Sequence, residues 1–395
     1  MLDFNYFHIP TRIIQGYECY TNLSELSELL KKRVIMVTDQ NLMNLGATQN
    51  LRRFIENVSY GLIFHSVSND SSEGVQDEAI LLAKESCVQT VVGFGDTHVL
   101  SIARAIVQFA STDNNKISYI EIPSIPCIYT GLLETYYIAS NHETLKKPYK
   151  DLESRADWLV LDSSYTEFSR VDNILKSAIH SLSYALDALF SRNVTMLSES
   201  YALKAIELIV SAGNRLPNEP TNVKLKNELM MGSLLASFAI QSSSLGICAG
   251  LAMSLSNSLV CSEIEGSGAV LMSSLEYSLV SNLDKFQKIA RILEIEERDP
   301  LESSLQVLGV IHNLLQQMEI QPLSSYTFTS SMLDIIAKQA SQYHFMLDLS
   351  RPAGFYELTD ILNNAVKNGI NMNSDLQSDE VSLDNRSKEK NAITI

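Results

Sequence analysis

Basic residues are scarce in this chain. Its 395 residues hold 30 Lys and Arg against 46 Asp and Glu, a formal charge of −16. Phosphate backbones are gripped through Lys/Arg neutralisation, so no nucleic-acid partner is expected. An anionic membrane surface is disfavoured for the same reason. A small anionic ligand stays open, because it needs only a local cluster of donors. Cysteine is sparse too: Cys19, Cys87, Cys127, Cys248 and Cys261 are odd in number, widely spaced and form no CxxC pair. That removes a disulfide framework and a zinc ribbon. The opening "MLDFNYFHIPTRII" has no basic segment leading a long apolar one, so no signal peptide is expected, and a reducing cytoplasm is the expected setting. Nor is there a Ser/His/Asp order with a nucleophile elbow, so hydrolase chemistry has no support.

One stretch lacks charge altogether. Between Glu228 and Glu263 runs "LMMGSLLASFAIQSSSLGICAGLAMSLSNSLVCS". A bilayer span needs about 20 predominantly apolar residues in a row, and "QSSS" breaks this one in the middle. Helices buried on all sides within a large helical domain fit its small residues better, so no membrane is expected.

A 45% hydrophobic content allows a large core, and the length suits two domains. Up to about Ser163 the chain alternates. "RVIMVTD" (33–39), "YGLIFHSVS" (60–68), "QTVVGFG" (89–95), "ISYIEIP" (117–123) and "DWLVLDS" (157–163) read as strands. Helical patterns such as "GVQDEAILLAKES" and "HVLSIARAIVQFA" lie between them. This predicts a Rossmann-like α/β domain over 1–168, with a mostly parallel sheet covered on both faces and ligands at the carboxyl ends of its strands. After about Arg170 helix follows helix, including "VDNILKSAIHSLSYALDALFSR", "SESYALKAIELIVSAG" and "SSMLDIIAKQASQYHFMLD". An all-helical domain is expected over 169–372. The polar, aperiodic 373–395 reads as a disordered tail.

In "TVVGFGDTHVLSIARAIVQFA" a strand, a glycine turn and a helix follow one another. Gly93 and Gly95 let backbone N–H groups approach a pyrophosphate, and Asp96 and Thr97 then open the helix. Asp96 equally suits an N-cap, where its carboxylate competes with phosphate for the same donors.

"FHIPTRIIQGYECYTNL", "RVIMVTDQNLMNLG", "VVGFGDTHVLSIARAI", "IEIPSIPCIYTG", "ADWLVLDSSYT", "SSSLGICAGLAMSLS" and "YHFMLDLSRPAGFYELTDIL" resemble, in order, segments of the iron-containing (group III) alcohol dehydrogenases. Their superfamily includes glycerol and glycerol-1-phosphate dehydrogenases and 3-dehydroquinate synthases. The resemblance covers nearly the whole chain. It implies a dinucleotide-binding domain, a helical domain and an active site between them, and it leaves a homodimer open. The family's G-G-G-S turn reads Gly93-Phe94-Gly95-Asp96, with Ser101 and Arg104 in later places. Asp39, closing its strand, takes the place of the acid that accepts from the NAD ribose 2′-OH; an ordinary turn Asp is the alternative. The family's I-P-T-T-A-G-T-G-S-E loop survives as Ile122, Pro123 and Ser124, with Thr130 and Gly131 as remnants among bulky apolar residues.

The family's metal is held by one Asp and three His, the first two in D-x-x-x-H-x-x-E. Here those places hold His180 and Tyr184, with Asp187 for the Glu; later places hold Ala249 and Met253, and the H-G turn becomes Glu265-Gly266. No family ligand stands in its place, so no metal is expected. A phenol with a pKa of about 10 is a poor ligand, and a thioether is ill suited beside oxygen donors. His180, Tyr184 and Asp187 share a helix face. With Glu265 they form either an unusual site or a hydrogen-bonded polar cluster in which Tyr184 meets Glu265. The other histidines, His8, His65, His98, His142, His312 and His344, carry no pattern.

Three functions remain. The first is an oxidoreductase moving hydride between NAD(H) and a small alcohol or carbonyl without the metal, with Tyr184 or His180 as the proton donor. The second is a catalytically silent relative serving as a binding or interaction module. The third, a lyase-type reaction, needs both NAD and a metal.

Overall fold

The computed structural model describes residues 7–19, 24–67, 75–138, 146–296 and 299–367. The first part alternates strand and helix: β1 (Arg12–Gly16), α1 (Ser24–Leu30), β2 (Arg33–Asp39), α2 (Gln40–Asn44), α3 (Thr48–Val58), β3 (Gly61–Val67), α4 (Val75–Glu85), β4 (Thr90–Gly95), α5 (Thr97–Ala110) and β5 (Ser118–Pro123). A small hairpin follows, β6 (Thr135–Ile138) and β7 (Lys147–Lys150), then β8 (Trp158–Asp162). Six strands form one parallel sheet in the order β1-β8-β5-β4-β2-β3, while β6 and β7 pair antiparallel. The inner strands are buried on both sides, which is why "RVIMVTD" and "TVVGFG" read as unbroken apolar runs. Period-two alternation still sorts them: Val34, Met36, Val92 and Phe94 meet α1 and α3 on one face, and Ile35, Val37 and Val91 meet α4 and α5 on the other.

The second part is helical: α6 (Val171–Phe190), α7 (Met196–Arg215), α8 (Val223–Gln241), α9 (Ile247–Asn257), α10 (Glu263–Ser278), α11 (Leu283–Ile292), α12 (Pro300–Gln317), α13 (Ser330–Ala340) and α14 (355–367). α6 is buried nearly all round, its polar side chains His180, Ser181, Ser183 and Asp187 included. The charge-free stretch becomes α8 and α9, separated by the turn 242–246. Among the described residues no helix is long and apolar enough to cross a membrane.

Three elements differ from the sequence reading. β1 joins the sheet edge beside β8, although "RII" carried too little signal to be read as a strand. The hairpin of β6 and β7 was not foreseen. The run "SSMLDIIAKQASQYHFMLD" is not one helix: α13 stops at Ala340 and a 3-10 turn, His344–Asp348, follows. The tail 373–395 and His142 lie outside the described residues.

Candidate functional site

β2 has β3 on one side and β4 on the other, so chain order reverses between the carboxyl ends of β2 and β4. Doubly wound sheets take ligands at such a point. Asp39 and Asp96 both stand there, and both are spent as helix caps. Asp39 Oδ1 accepts from the N–H groups of Asn41 (2.5 Å) and Leu42 (3.0 Å). Asp96 Oδ1 accepts from those of His98 (3.0 Å) and Val99 (3.2 Å). Burial raises the Asp39 pKa, its two backbone bonds oppose this, and the neighbouring Asp96 charge adds to the rise.

Gly93 lies inside β4 rather than in the turn. A Cβ there would stand 2.8 Å from Ala103 Cβ, and one on Gly95 would stand 2.7 Å from Val99 Cβ. Both glycines let α5 press against β4, and the turn proper is Gly95-Asp96-Thr97-His98. Thr97 Oγ1 donates to the Ile128 carbonyl (3.3 Å). Ser101 back-bonds to the Thr97 carbonyl (2.7 Å). A pyrophosphate would need amides that Asp96 already holds, next to a like charge. These residues do not fit a dinucleotide in that pose.

The loop from Ser124 to Leu132 is buried throughout. Cys127, Tyr129 and Leu132 form a small interdomain core with Leu100, Leu159, Leu161, Met230 and Leu234. Tyr129 N–H donates to Ser237 Oγ (3.1 Å), and its hydroxyl donates to the Met230 carbonyl (2.9 Å). Arg104, fully buried, stacks on Tyr136 at 4.1 Å and donates to the Thr130 and Asp151 carbonyls and to Ser154 Oγ. Beneath the loop, Glu121 Oε2 accepts from Gly131 N–H (2.5 Å). Burial pushes the Glu121 carboxyl up to about 8, even with Gly131 and Arg104 opposing it. Ser124 is buried, its N–H donating to the Gly95 carbonyl (2.9 Å); Thr130 is buried with its hydroxyl unpartnered. This loop is therefore a wedge tying the domains together.

At the seam, α6 carries His180 and Tyr184, whose ring centroids are 4.4 Å apart. Tyr184 OH donates to Glu263 Oε1 (2.5 Å), and Lys146, at the entry to β7, forms an ion pair with Glu263 Oε2. The expected partner Glu265 sits elsewhere: it closes a capping box with Ser262 at the start of α10. Glu263 lies two places earlier in the first turn of α10, on the face turned to α6. Asp187 also departs from the cluster. It accepts from the N–H groups of Ala249 (2.8 Å) and Cys248 (3.3 Å), capping α9, and burial lifts its pKa to about 7. Met253 is core.

The network fixes the His180 tautomer. Ser267 Oγ donates to the Glu263 carbonyl (2.9 Å), so it accepts from His180 Nδ1–H at 2.8 Å. Burial lowers the His180 pKa, despite Glu263 nearby. The ring is neutral, and Nε2 turns a bare lone pair toward Glu263 Oε1 at 3.8 Å. Burial raises the Tyr184 pKa well above 10, and Glu263 adds to that, so its hydroxyl keeps its proton. Burial works against the Glu263 carboxylate, yet the Lys146 ammonium and the Tyr184 hydroxyl outweigh it and hold the carboxyl near 2. The seam thus holds one carboxylate, one ammonium, a neutral imidazole and a phenol.

His98 lies at the same seam. Burial lowers its pKa, with Asp96 and Glu263 opposing and Lys146 assisting. Its surface is open to solvent, as at the mouth of a crevice. Lys146, Glu263, Ser267 and His98 were not singled out as site residues. The first three follow no sequence signal, since only the fold brings β7 and α10 to α6. His344 lies nearly parallel to Tyr137 of β6 (14° between planes, centroids 6.4 Å apart). A separate hollow of about 480 Å³, lined by Gln15, Tyr17, Ser163, Lys224 and Asn227, opens at the carboxyl ends of β1 and β8.

Among the described residues, no three His, Cys, Asp or Glu side chains gather as a metal set. One imidazole and one carboxylate already bound to an ammonium fall short of the three or four protein ligands of a tight divalent site. The residues do not fit the metal the resemblance implies.

Known proteins agree with the architecture. The chain is 22% identical over 236 residues to maleylacetate reductase 1 of Rhodococcus opacus, covering 59% of this chain and 62% of that protein, less than two thirds of its length. It is 21% identical to a 1,3-propanediol dehydrogenase of Klebsiella pneumoniae, covering 72% of this chain and 78% of that protein. A crystal structure of 1,3-propanediol oxidoreductase superposes with a TM-score of 0.85 at 15% identity, covering 92% of this chain and all of that one. Maleylacetate reductase from Rhizobium sp. gives 0.76 at 17%, covering 93% and 99%. The family description "Iron-containing alcohol dehydrogenase" matches residues 10–163, and "Fe-containing alcohol dehydrogenase family, C-terminal" matches 174–366. With the two descriptions together matching most of its length, the chain belongs to the iron-containing alcohol dehydrogenase family of oxidoreductases.

Proposed function

We propose that this chain is a family member that has given up metal-assisted hydride transfer and serves as a binding or interaction module, taking a small molecule at the seam. One observation carries the reading: the Asp96 carboxylate holds the His98 and Val99 amides at the turn where a dinucleotide needs them. The wedge loop and the short ligand count at Glu263 support it from two further directions. A second reading, hydride exchange between NAD(H) and a small alcohol or carbonyl without a metal, is favoured by the Tyr184 hydroxyl, a retained proton beside the Lys146 ammonium.

Differential scanning fluorimetry of the full chain with NADH and NADPH separates the two. A ligand at a hundredfold its Kd adds about 2.7 kcal/mol, an easily seen rise in Tm. No shift with either nucleotide is expected. A saturable rise with NADH, together with turnover of a small aldehyde, overturns the proposal in favour of the second reading.

A further inference from the structure

The seam presents an acceptor pair of the kind that binds cations. His180 Nε2 is a bare lone pair, its tautomer fixed by Ser267 behind it, which is how metal-ligating imidazoles are held. The Glu263 carboxylate faces the same space, 3.8 Å from that nitrogen. Two acceptors at that separation, largely buried, repel unless something positive lies beside them. The positive group present is the Lys146 ammonium on Glu263 Oε2; its side chain is only 18% exposed, and Glu263 is 17%. Among the described residues, Glu263 is the hydrogen-bond partner of that ammonium.

We propose that Lys146 Nζ is the resident cation of this seam: it stands in for a divalent ion beside Glu263 and His180, neutralises the carboxylate, and keeps metal out. The inference rests on the reading that the chain uses no metal, and it goes further by naming the group that replaced it. A strongly hydrated ammonium on a flexible stem supplies one charge and three rotatable donors without a ligand sphere. The seam therefore keeps electrostatic pull on an oxygen-bearing ligand but loses the geometry of coordination.

The test changes the cation into a ligand. Lys146→His places a second imidazole beside His180 and Glu263, completing three donors. Full-length wild type, K146H and K146H/E263Q are each titrated with Co²⁺, followed by visible d–d absorption, and with Zn²⁺, followed by Tm. The expected result is no cobalt bands and no zinc shift in wild type. K146H is expected to show one equivalent of cobalt with intense tetrahedral bands and a saturable rise in Tm with zinc, and both vanish in K146H/E263Q. Stoichiometric cobalt in wild type overturns the inference and the metal-free reading together. A folded K146H that takes no metal overturns the inference alone. If K146H does not fold, K146E answers the same question: it removes the ammonium and supplies a third donor in its place, so zinc stabilises K146E and not wild type. An equal zinc response in the two overturns the proposal.

Discussion

Glu263→Gln removes the charge at the seam and keeps the side chain's shape. The Glu263 carboxyl sits at about 2 against an ordinary 4.5, because Lys146 and Tyr184 outweigh the effect of burial. A carboxyl whose folded pKa lies below its unfolded one adds stability above the unfolded pKa. That stability drains away as pH falls through the folded one. The difference amounts to about 3 kcal/mol at pH 7, at about 1.4 kcal/mol per unit. An independent bound agrees. Losing one partner of a pair this poorly exposed lies between the surface value, under about 1 kcal/mol, and the roughly 3–5 kcal/mol of a fully buried pair. E263Q is therefore expected to be about 2–3 kcal/mol less stable than wild type at pH 7, with the gap shrinking to about 1 kcal/mol at pH 3. Urea unfolding at pH 7, 5 and 3 measures it. Far-UV circular dichroism follows mainly the helices, while the sole tryptophan, Trp158 in β8, reports on the sheet. A gap that is the same at pH 7 and pH 3, or below about 0.5 kcal/mol at pH 7, refutes the charge assignment.

Two further substitutions test the surroundings. Tyr184→Phe keeps the ring contact with His180 and loses only the 2.5 Å bond to Glu263; a hydrogen bond to a charged acceptor is worth about 1.5–3 kcal/mol, so the urea midpoint falls with an unchanged slope. A loss under about 0.5 kcal/mol means Glu263 does not depend on that hydroxyl. Gly131→Ala would place a Cβ 1.9 Å from Glu121 Oε2 and 2.8 Å from Ala156 Cβ, so the wedge loop must move; a cost of about 3 kcal/mol or more is expected in chemical denaturation, and a variant within about 1 kcal/mol of wild type contradicts the packing described.

What the sequence made legible follows period and length. β2, β4, β5 and β8 announced themselves as β-branched runs, and α6 as twenty residues of helical pattern, because buried parallel strands and buried helices leave composition little choice. β1 and the β6–β7 hairpin are short, half-exposed and polar in places, so they owe their form to their neighbours rather than to local preference. In the seam, His180 and Tyr184 were singled out because the resemblance puts the family's metal ligands at those places, and α6 brings their rings to 4.4 Å. Their partner was placed at Glu265 instead of Glu263, because sequence order around a helix start does not say which residue caps and which faces inward. Ser262 decides it: as N-cap with Glu265 at its third position it satisfies the capping box, and Glu263 is left free to turn toward α6. Lys146 was invisible, since 117 residues separate it from Glu263.

On the proposed reading the features of the seam support one another. With Asp96 on the α5 amides, a pyrophosphate at that turn loses two donors and gains a repelling charge. With Lys146 on Glu263, a divalent ion must displace an ammonium before it reaches the His180 lone pair. On the proposed reading neither anion nor cation has to be gripped between the domains, and the loop after β5 then needs no small hydrogen-bonding side chains. Apolar ones then gain burial: Cys127, Tyr129 and Leu132 are each fully enclosed, and a buried side chain of leucine size contributes about 1.5–3 kcal/mol. The wedge they form stabilises a fixed arrangement of the two domains. On the proposed reading such a site favours stability over chemistry: the loop is core, while Gly93 and Gly95 still let α5 press against β4.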